Sequence, residues 1–142
     1  MVRIRIIKED RSRSTRDSLK FFQDHFNEIG DIKYVILYYA EHEWLLNHDL
    51  FHQYVIFIGE KAQLWLSGLT WGYYGTGPYR LFKVISLIDP SITYEQIVSL
   101  EWSTNYPIML ENIEGRLSLK PFNESAKYLL CLEDNRLPWQ KI

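Results

Sequence analysis

The sequence predicts an α+β fold, with one domain over residues 1–142 and a mixed or antiparallel sheet on which two to three helices pack. Several short runs rich in β-branched and aromatic residues are typical of strands. Two further segments repeat apolar residues at the spacing of a helix face. No internal repeat, low-complexity stretch or linker divides the chain, so we expect one domain of ordinary size.

The predicted strands follow one another along most of the chain. VRIRIIK at 2–8 alternates apolar and basic residues, the period of a strand with one face in water, which suits an edge of the sheet. KYVILYYA at 33–40 has apolar or aromatic residues on both faces and indicates a central strand. QYVIFIG and QLWLSGL flank EKA and predict a hairpin. Three further short strands are predicted in the last third, PIMLEN, RLSLK and KYLLCLE.

A first helix is predicted where apolar residues recur three and four positions apart. Ser14 and Asp17 can form a capping box at its start, and Gly30 ends it. The residues that define its apolar face are Leu19, Phe22, Phe26 and Ile29.

A second helix is predicted after Pro78, a residue well suited to a first helical turn, and Pro90 terminates it. Thr93 and Gln96 predict the capping box of a short third helix that runs through Leu100. The residues of the second helix expected to face inward are Leu81, Phe82, Val84, Ile85 and Ile88.

The composition excludes few functions and favours a cytoplasmic protein. The net charge of −2 provides no global field for duplex nucleic acid. Cys131 is the single cysteine, so no intramolecular disulfide forms. No apolar run has the length of a membrane span, and the N-terminus does not resemble a signal peptide. Aromatic residues make up 15% of the chain, a high share that suits a recognition surface as well as a core.

The segment GLTWGYYGTGPYRL at 68–81 is the principal candidate site. Its glycines precede a predicted helix start, where free backbone N–H groups and the helix dipole favour an anion. Arg80 would add a charged contact, and the aromatic residues would stack on a planar group. The candidate ligand-binding residues are Trp71, Tyr73, Tyr74, Gly75, Thr76, Gly77, Tyr79 and Arg80. The alternative is a tight strand-to-helix turn in which the glycines adopt positive φ angles and the aromatic residues pack over it.

Known phosphate-binding motifs do not explain this segment. It lacks the lysine and the Ser/Thr of a Walker loop, and its glycines do not match the dinucleotide fingerprint. The sequence also contains no nucleophile elbow and no Ser-His-Asp or Cys-His pairing. We therefore predict neither a catalytic residue nor a cofactor, and the expectation leans against an enzyme.

A second candidate is EHEWLLNHDLFH at 41–52, whose apolar residues fit neither secondary-structure period. Imidazoles and carboxylates together can ligate a divalent ion, although the spacing matches no known metal signature. The residues concerned are Glu41, His42, Glu43, His48, Asp49 and His52. A metal-dependent hydrolase acting on nucleotides is the corresponding alternative function, and solvated surface histidines are the simpler explanation.

A third candidate is a group of basic residues near the N-terminus that could contact phosphates. Acidic residues interleave with it, so a solvated strand face and a capping loop explain it without a ligand. Its members are Arg3, Arg5, Lys8, Arg11, Arg13 and Arg16.

The run WGYYGTGP, with GLT before it and an apolar helix after it, resembles a small uncharacterised family met in phages and other mobile elements. The family motif is Trp-Gly-Tyr-x-Gly-Ser/Thr-Gly-Pro, and the departure is Tyr74, where a second glycine is usual. Glycine there reaches φ angles that Tyr74 adopts only with strain, so either the backbone differs or the site requires an aromatic residue. The resemblance implies an accessory, anti-defence context and no particular activity.

These observations together predict a non-enzymatic, cytoplasmic binding protein. Its partner is expected to be a host protein or a small anionic ligand such as a signalling nucleotide, recognised through the glycine and aromatic loop. Duplex nucleic acid and membranes are not expected partners. A third alternative is a structural or assembly module, in which a homo-oligomer buries the loop.

Overall fold

The computed structural model describes residues 5–9, 14–40, 52–100 and 108–121. The described elements follow no regular βαβ repeat. In chain order they are β1 (Arg5–Lys8), α1 (Thr15–His25), a 3-10 turn (Phe26–Glu28), β2 (Ile32–Ala40), β3 (His52–Gly59), β4 (Ala62–Leu66), α2 (Thr76–Ser86), α3 (Tyr94–Val98), β5 (Ile108–Ile113) and β6 (Arg116–Lys120).

The strands form one six-stranded mixed sheet in the order β1-β4-β3-β2-β5-β6. All neighbours are antiparallel except β1 and β4, which run parallel. The hairpin of β3 and β4 turns through Glu60 and Lys61, as the polar EKA segment predicts. The α+β fold is confirmed, β1 lies at an edge of the sheet that the described residues form, and β2 lies between β3 and β5 as expected for a central strand.

The main core lies between the sheet and the helices. Phe22 of α1 contacts Phe57 of β3 with ring centroids 5.1 Å apart, which fixes this helix against the middle of the sheet. α2 and α3 contribute apolar residues to the same cluster. Three of the residues predicted to face inward from the second helix are buried, and the other two, Phe82 and Ile88, are half-buried and pack against the core from its edge. The helical members that are fully buried there are Phe22, Leu81, Val84, Ile85 and Ile97.

The opposite face of the sheet is also buried at its centre. Ile36, Ile56 and Trp65 are cross-strand partners on neighbouring strands, and each is at most 1% exposed. Burial on both faces explains why β2 reads as a continuous apolar run instead of an alternating one.

The helix ends follow local capping signals. The Ser14 hydroxyl accepts a hydrogen bond from the backbone nitrogen of Asp17 at 3.1 Å. α1 ends as an α-helix at His25 and tightens into the 3-10 turn before Gly30, whose φ of 77° lies in the left-handed region. The predicted helix is therefore confirmed, with a last turn of different geometry.

The second and third helices differ slightly from their predicted bounds. α2 begins at Thr76, which places Pro78 in its first turn, and it ends at Ser86, before Pro90. Both bonds of the capping box between Thr93 and Gln96 are present at α3. Within the described residues, no helix has the length and apolar character needed to cross a membrane.

Several predictions fall on residues outside the described ranges. These are the structure of the segment 41–51, the KYLLCLE strand at 127–133 with Cys131, and the basic residues Arg3, Arg11 and Arg13.

Candidate functional site

The candidate site lies where the loop after β4 enters α2. The backbone nitrogen of Gly72 donates to the carbonyl oxygen of Ile97 at 3.1 Å, which attaches the loop to α3. Gly72 has a φ of 89°, a conformation that favours glycine. Gly75, in contrast, is extended with a φ of 172°. The positive-φ explanation of the glycines therefore holds at Gly72 and not at Gly75.

Gly77 is required for a different reason, the close approach of α2 to the loop. It is buried in the first turn of the helix, and a Cβ added to it would overlap the hydroxyl of Thr70. The third glycine of the motif thus allows the helix to pack against the preceding segment, and it does not face a ligand.

Trp71 belongs to the core. It is 1% exposed and packs in the same buried cluster as Leu81 and Ile97. Its indole nitrogen is buried and has no hydrogen-bond partner among the residues that the structure describes. The expectation that Trp71 stacks on a ligand does not fit this position, since its large apolar ring is buried beneath the loop.

The three tyrosines of the motif remain at the surface. Tyr73, Tyr74 and Tyr79 are 47%, 68% and 45% exposed. Among the described residues, Glu114 is the single non-glycine residue with a positive φ, so the Tyr74 backbone is not in the strained left-handed region. Of the two explanations for the departure at Tyr74, the structure agrees with a backbone that does not require glycine.

Tyr94 of α3 connects two of these tyrosines into one cluster. Its ring centroid lies 5.7 Å from that of Tyr74 and 5.5 Å from that of Tyr79, both in edge-to-face geometry. Phe82 contacts both Tyr79 and Tyr94 at 6.0 Å. We call Tyr74, Tyr79, Phe82 and Tyr94 the aromatic patch. Such contacts are individually weak but hold the rings in defined orientations.

Hydrogen bonds anchor the tyrosines around the start of α2. The Tyr94 hydroxyl accepts from the backbone nitrogen of Gly75 at 2.9 Å and donates to its carbonyl oxygen at 3.3 Å. The Tyr73 hydroxyl is paired with that of Thr70 at 2.9 Å, which keeps the Tyr73 ring against Gly75. The loop is therefore held from both sides.

Two cations accompany the aromatic patch. Lys83 Nζ lies 5.4 Å from the ring centroid of Tyr79, a cation–π distance. Arg80 is half-buried, and its side chain forms no hydrogen bond or ion pair within the described part of the chain. Gly75, the residue before the helix, supplies no side-chain cap to the first backbone N–H groups, and Thr76 is exposed beside them. This end of α2 therefore combines exposed rings with uncompensated positive charge.

The other two candidate sites receive little support from the described part of the chain. The predicted metal-ligating residues lie outside it, except for His52, which begins β3. Among the described residues, no group of three His, Cys, Asp or Glu side chains could hold a metal ion. In the basic group, Arg5 pairs with Glu28 at 2.7 Å, a contact within the chain.

Sequence reasoning missed Phe82, Lys83 and Tyr94 as members of the site. Phe82 was expected only in the core, and Tyr94 only as the first residue of a capped helix. The capping box predicts where α3 begins, but no local signal shows that this helix lies against a loop nearly twenty residues earlier.

The fold and site together define an α+β protein with a surface cluster of aromatic and basic side chains. Comparisons with protein-family models, with curated proteins and with solved structures find no match to this chain.

Proposed function

We propose that the protein is a non-enzymatic binding protein that recognises a protein partner through the aromatic patch. The observation that carries this proposal is the cluster of exposed tyrosine rings that Tyr94 holds in edge-to-face contact. Tyrosine is enriched at protein interfaces because it buries a large area at low entropic cost and keeps a polar end.

The restraint of the rings strengthens the case for recognition. An exposed side chain that is already oriented loses less conformational entropy on binding. Two hydrogen bonds to Gly75 fix the position of Tyr94, and the rings of Tyr74 and Tyr79 contact the Tyr94 ring edge to face. Their exposed surfaces are thus presented in a fixed arrangement, as an interface requires.

The test compares capture of binding partners by matched variants. Wild-type protein, Tyr74→Ala/Tyr79→Ala and a control with Ile113→Ala/Leu119→Ala are immobilised at equal density. The control residues are also exposed and apolar, at 52% and 66%, and lie outside the patch. Lysate of the organism that encodes the chain is applied, and bound proteins are quantified by mass spectrometry.

We expect one or more proteins to be enriched by the wild type and by the control, and to fall about tenfold or more with the tyrosine variant. The best candidate is then purified and its affinity for each variant is measured. Equal capture by the tyrosine variant, with its fold verified by circular dichroism, would contradict the proposal.

A second candidate, an anionic ligand such as a nucleotide, is favoured by Arg80 and the uncapped start of α2. Phosphate would lie at the first helical N–H groups, and Tyr74 would stack on the base. The test is thermal stabilisation by mono-, di- and cyclic nucleotides. Stabilisation that survives unchanged in both Arg80→Ala and Tyr74→Ala proteins would exclude this site.

The phage or mobile-element context and the anti-defence role rest on the sequence resemblance and stay predictions. The hydrolase alternative is tested by elemental analysis of the purified protein and by affinity for added Mn²⁺ or Zn²⁺. For an assembly module, a symmetric oligomer that is lost in the Tyr74→Ala/Tyr79→Ala variant is the expected result.

A further inference from the structure

A cleft of about 640 Å³ lies at the other end of α2 from the aromatic patch. It is bounded by the 3-10 turn after α1, the start of β2, the end of α2 and the turn between β5 and β6. This volume falls within the usual range for a small-ligand site.

The Asn112 side chain links two of the elements that border the cleft. Asn112 Nδ2 donates to the carbonyl oxygen of Ile32 at 2.7 Å, and Asn112 Oδ1 accepts from the backbone nitrogen of Gly115 at 2.9 Å. Both ends of the amide are therefore used to join β2 to the β5–β6 turn. The fold itself therefore links two of the elements that border the cleft.

The surface of the cleft is mainly polar, and a smaller apolar part comes from three side chains at its border. Phe26 is 37% exposed and Leu87 is 68% exposed, and half-buried Ile88 lies beside Leu87. Covering these side chains with an apolar ligand would release the water in contact with them, which is favourable in proportion to the area buried.

Of the charged side chains that line the cleft, the lysine has an ion-pair partner and the two carboxylates do not, within the described residues. Asp31 and Glu114 are exposed carboxylates whose side chains form no hydrogen bond or ion pair with the described residues. Lys33, the lining cation, is paired with Glu60 at 3.5 Å. The free charge of the cleft is therefore negative, next to the apolar side chains.

We propose that this cleft binds an organic cation with an apolar body, an ammonium or guanidinium group on a short hydrocarbon stem. The apolar body packs between Phe26 and Leu87, and the cation lies near Asp31 and Glu114. A free amine and an arginine side chain of a peptide share this chemistry. The site is separate from the aromatic patch, so its test does not depend on the proposed function.

The test uses three probes on the ¹⁵N-labelled chain at neutral pH, with backbone amide shifts as the readout. Phenethylammonium supplies an apolar ring and a cation, 2-phenylethanol is its neutral match, and acetyl-Leu-Arg-Leu-amide presents the cation on a peptide. We expect phenethylammonium to shift the amides of Gly30, Asp31 and Gly115 in a saturable way, with no change at Gly72. The affinity of the neutral alcohol is expected to be lower than that of phenethylammonium by about fivefold or more.

Variants that remove one negative charge test whether the carboxylates of Asp31 and Glu114 bind the cation. Asp31→Asn and Glu114→Gln should each lower the affinity for phenethylammonium about two- to fivefold, the range for an exposed ion pair. Glu95→Gln, an equivalent change on α3, should leave it unchanged. Tighter binding of the peptide than of the amine would assign the cation to a peptide, and the reverse order would assign it to a free amine. Equal binding of amine and alcohol, absence of saturable shifts, or full retention in both cleft variants would overturn the proposal.

Discussion

The Tyr94 hydroxyl lies 2.9 Å from the backbone nitrogen of Gly75 and 3.3 Å from its carbonyl oxygen. The Tyr94 side chain of α3 therefore hydrogen-bonds both backbone polar groups of Gly75, the residue that precedes α2. The same side chain contacts the rings of Tyr74 and Tyr79. The short third helix, which the sequence predicts from its capping box alone, therefore contributes to the candidate site.

Replacing Tyr94 by Phe should loosen the loop while keeping the ring contacts. The loss of the hydroxyl leaves the Gly75 nitrogen without its partner, and we expect a decrease of about 1 kcal/mol in the free energy of unfolding. Urea denaturation measures this change, and amide hydrogen exchange at Gly75 should become faster. Tyr79→Phe is the control, because the Tyr79 hydroxyl forms no hydrogen bond to any described residue. Unchanged exchange at Gly75 in the Tyr94 variant would show that this bond does not hold the loop.

Replacing Gly77 by Ala should destabilise the protein by about 1–3 kcal/mol, the cost of forcing an extra methyl into a packed site. The new Cβ would overlap the Thr70 hydroxyl. Thermal and urea denaturation of Gly77→Ala, Thr70→Ala and the double variant should show strong non-additivity, with Thr70→Ala relieving part of the clash. Thr76→Ala, at the exposed first residue of α2, is the control, since it adds no atom to the packed site and should change stability by less than about 0.5 kcal/mol. Additive effects at Gly77 and Thr70 would contradict the packing argument.

Replacing Ser18 by Ala should break a buried polar network. The Ser18 hydroxyl donates to Glu9 Oε1 at 2.6 Å and accepts from the Gly68 nitrogen at 2.7 Å. Glu9 is 7% exposed, so its carboxylate would lose a bond it cannot replace fully with water. We expect a loss of about 1–3 kcal/mol in urea denaturation. Ser99→Ala, on the exposed serine that follows α3, should change stability by less than about 0.5 kcal/mol.

Asp89 should make stability fall in acid. Its Oδ1 accepts from the side chain of Ser91 at 2.6 Å and from the Ser91 nitrogen at 2.9 Å, and its Oδ2 accepts from Leu117 at 2.9 Å. The hydrogen bond from the Ser91 side chain, followed by that from the Leu117 backbone, lowers the pKa of Asp89 below its usual value. The folded state therefore favours the ionised carboxylate.

This stabilisation is fully present above the pKa of Asp89 in the unfolded chain and is lost as the pH falls through the lower pKa of the folded state. Free energies of unfolding are compared between neutral pH and about pH 3 for wild type and Asp89→Asn. The difference between the two proteins should shrink in acid. Ser91→Ala, which removes the strongest donor, should raise the pKa of Asp89. A difference that is constant with pH would contradict the assignment.

The secondary structure of the described chain is largely predictable because its signals are local. The run that forms β2 is apolar on both faces, and the capping residues Ser14 and Thr93 mark helix starts through bonds to residues three positions later. The end of α1 was less predictable, since a 3-10 turn and an α-helical turn bury Ile29 with the same apolar spacing.

The position of the candidate site in the chain was predictable from the sequence, but the set of residues that form it was not. The glycine and aromatic motif marks the start of α2, yet a tyrosine and a tryptophan in one loop are equally suited by composition to a core or a surface. Trp71 is buried and Tyr74 is exposed, and that difference depends on which elements pack above and below the loop.

The sequence by itself determined the α+β class, the hairpin, the central strand and the helix starts, because these follow from side-chain periodicity and from hydrogen bonds between near neighbours. Only the tertiary structure decided that Tyr94 supports the aromatic patch, that Gly77 is needed for packing against Thr70, and that Asp31 and Glu114 line one cleft. These relationships join residues distant in the chain, and they exist because burial of the common core brings the helices and turns together on the sheet.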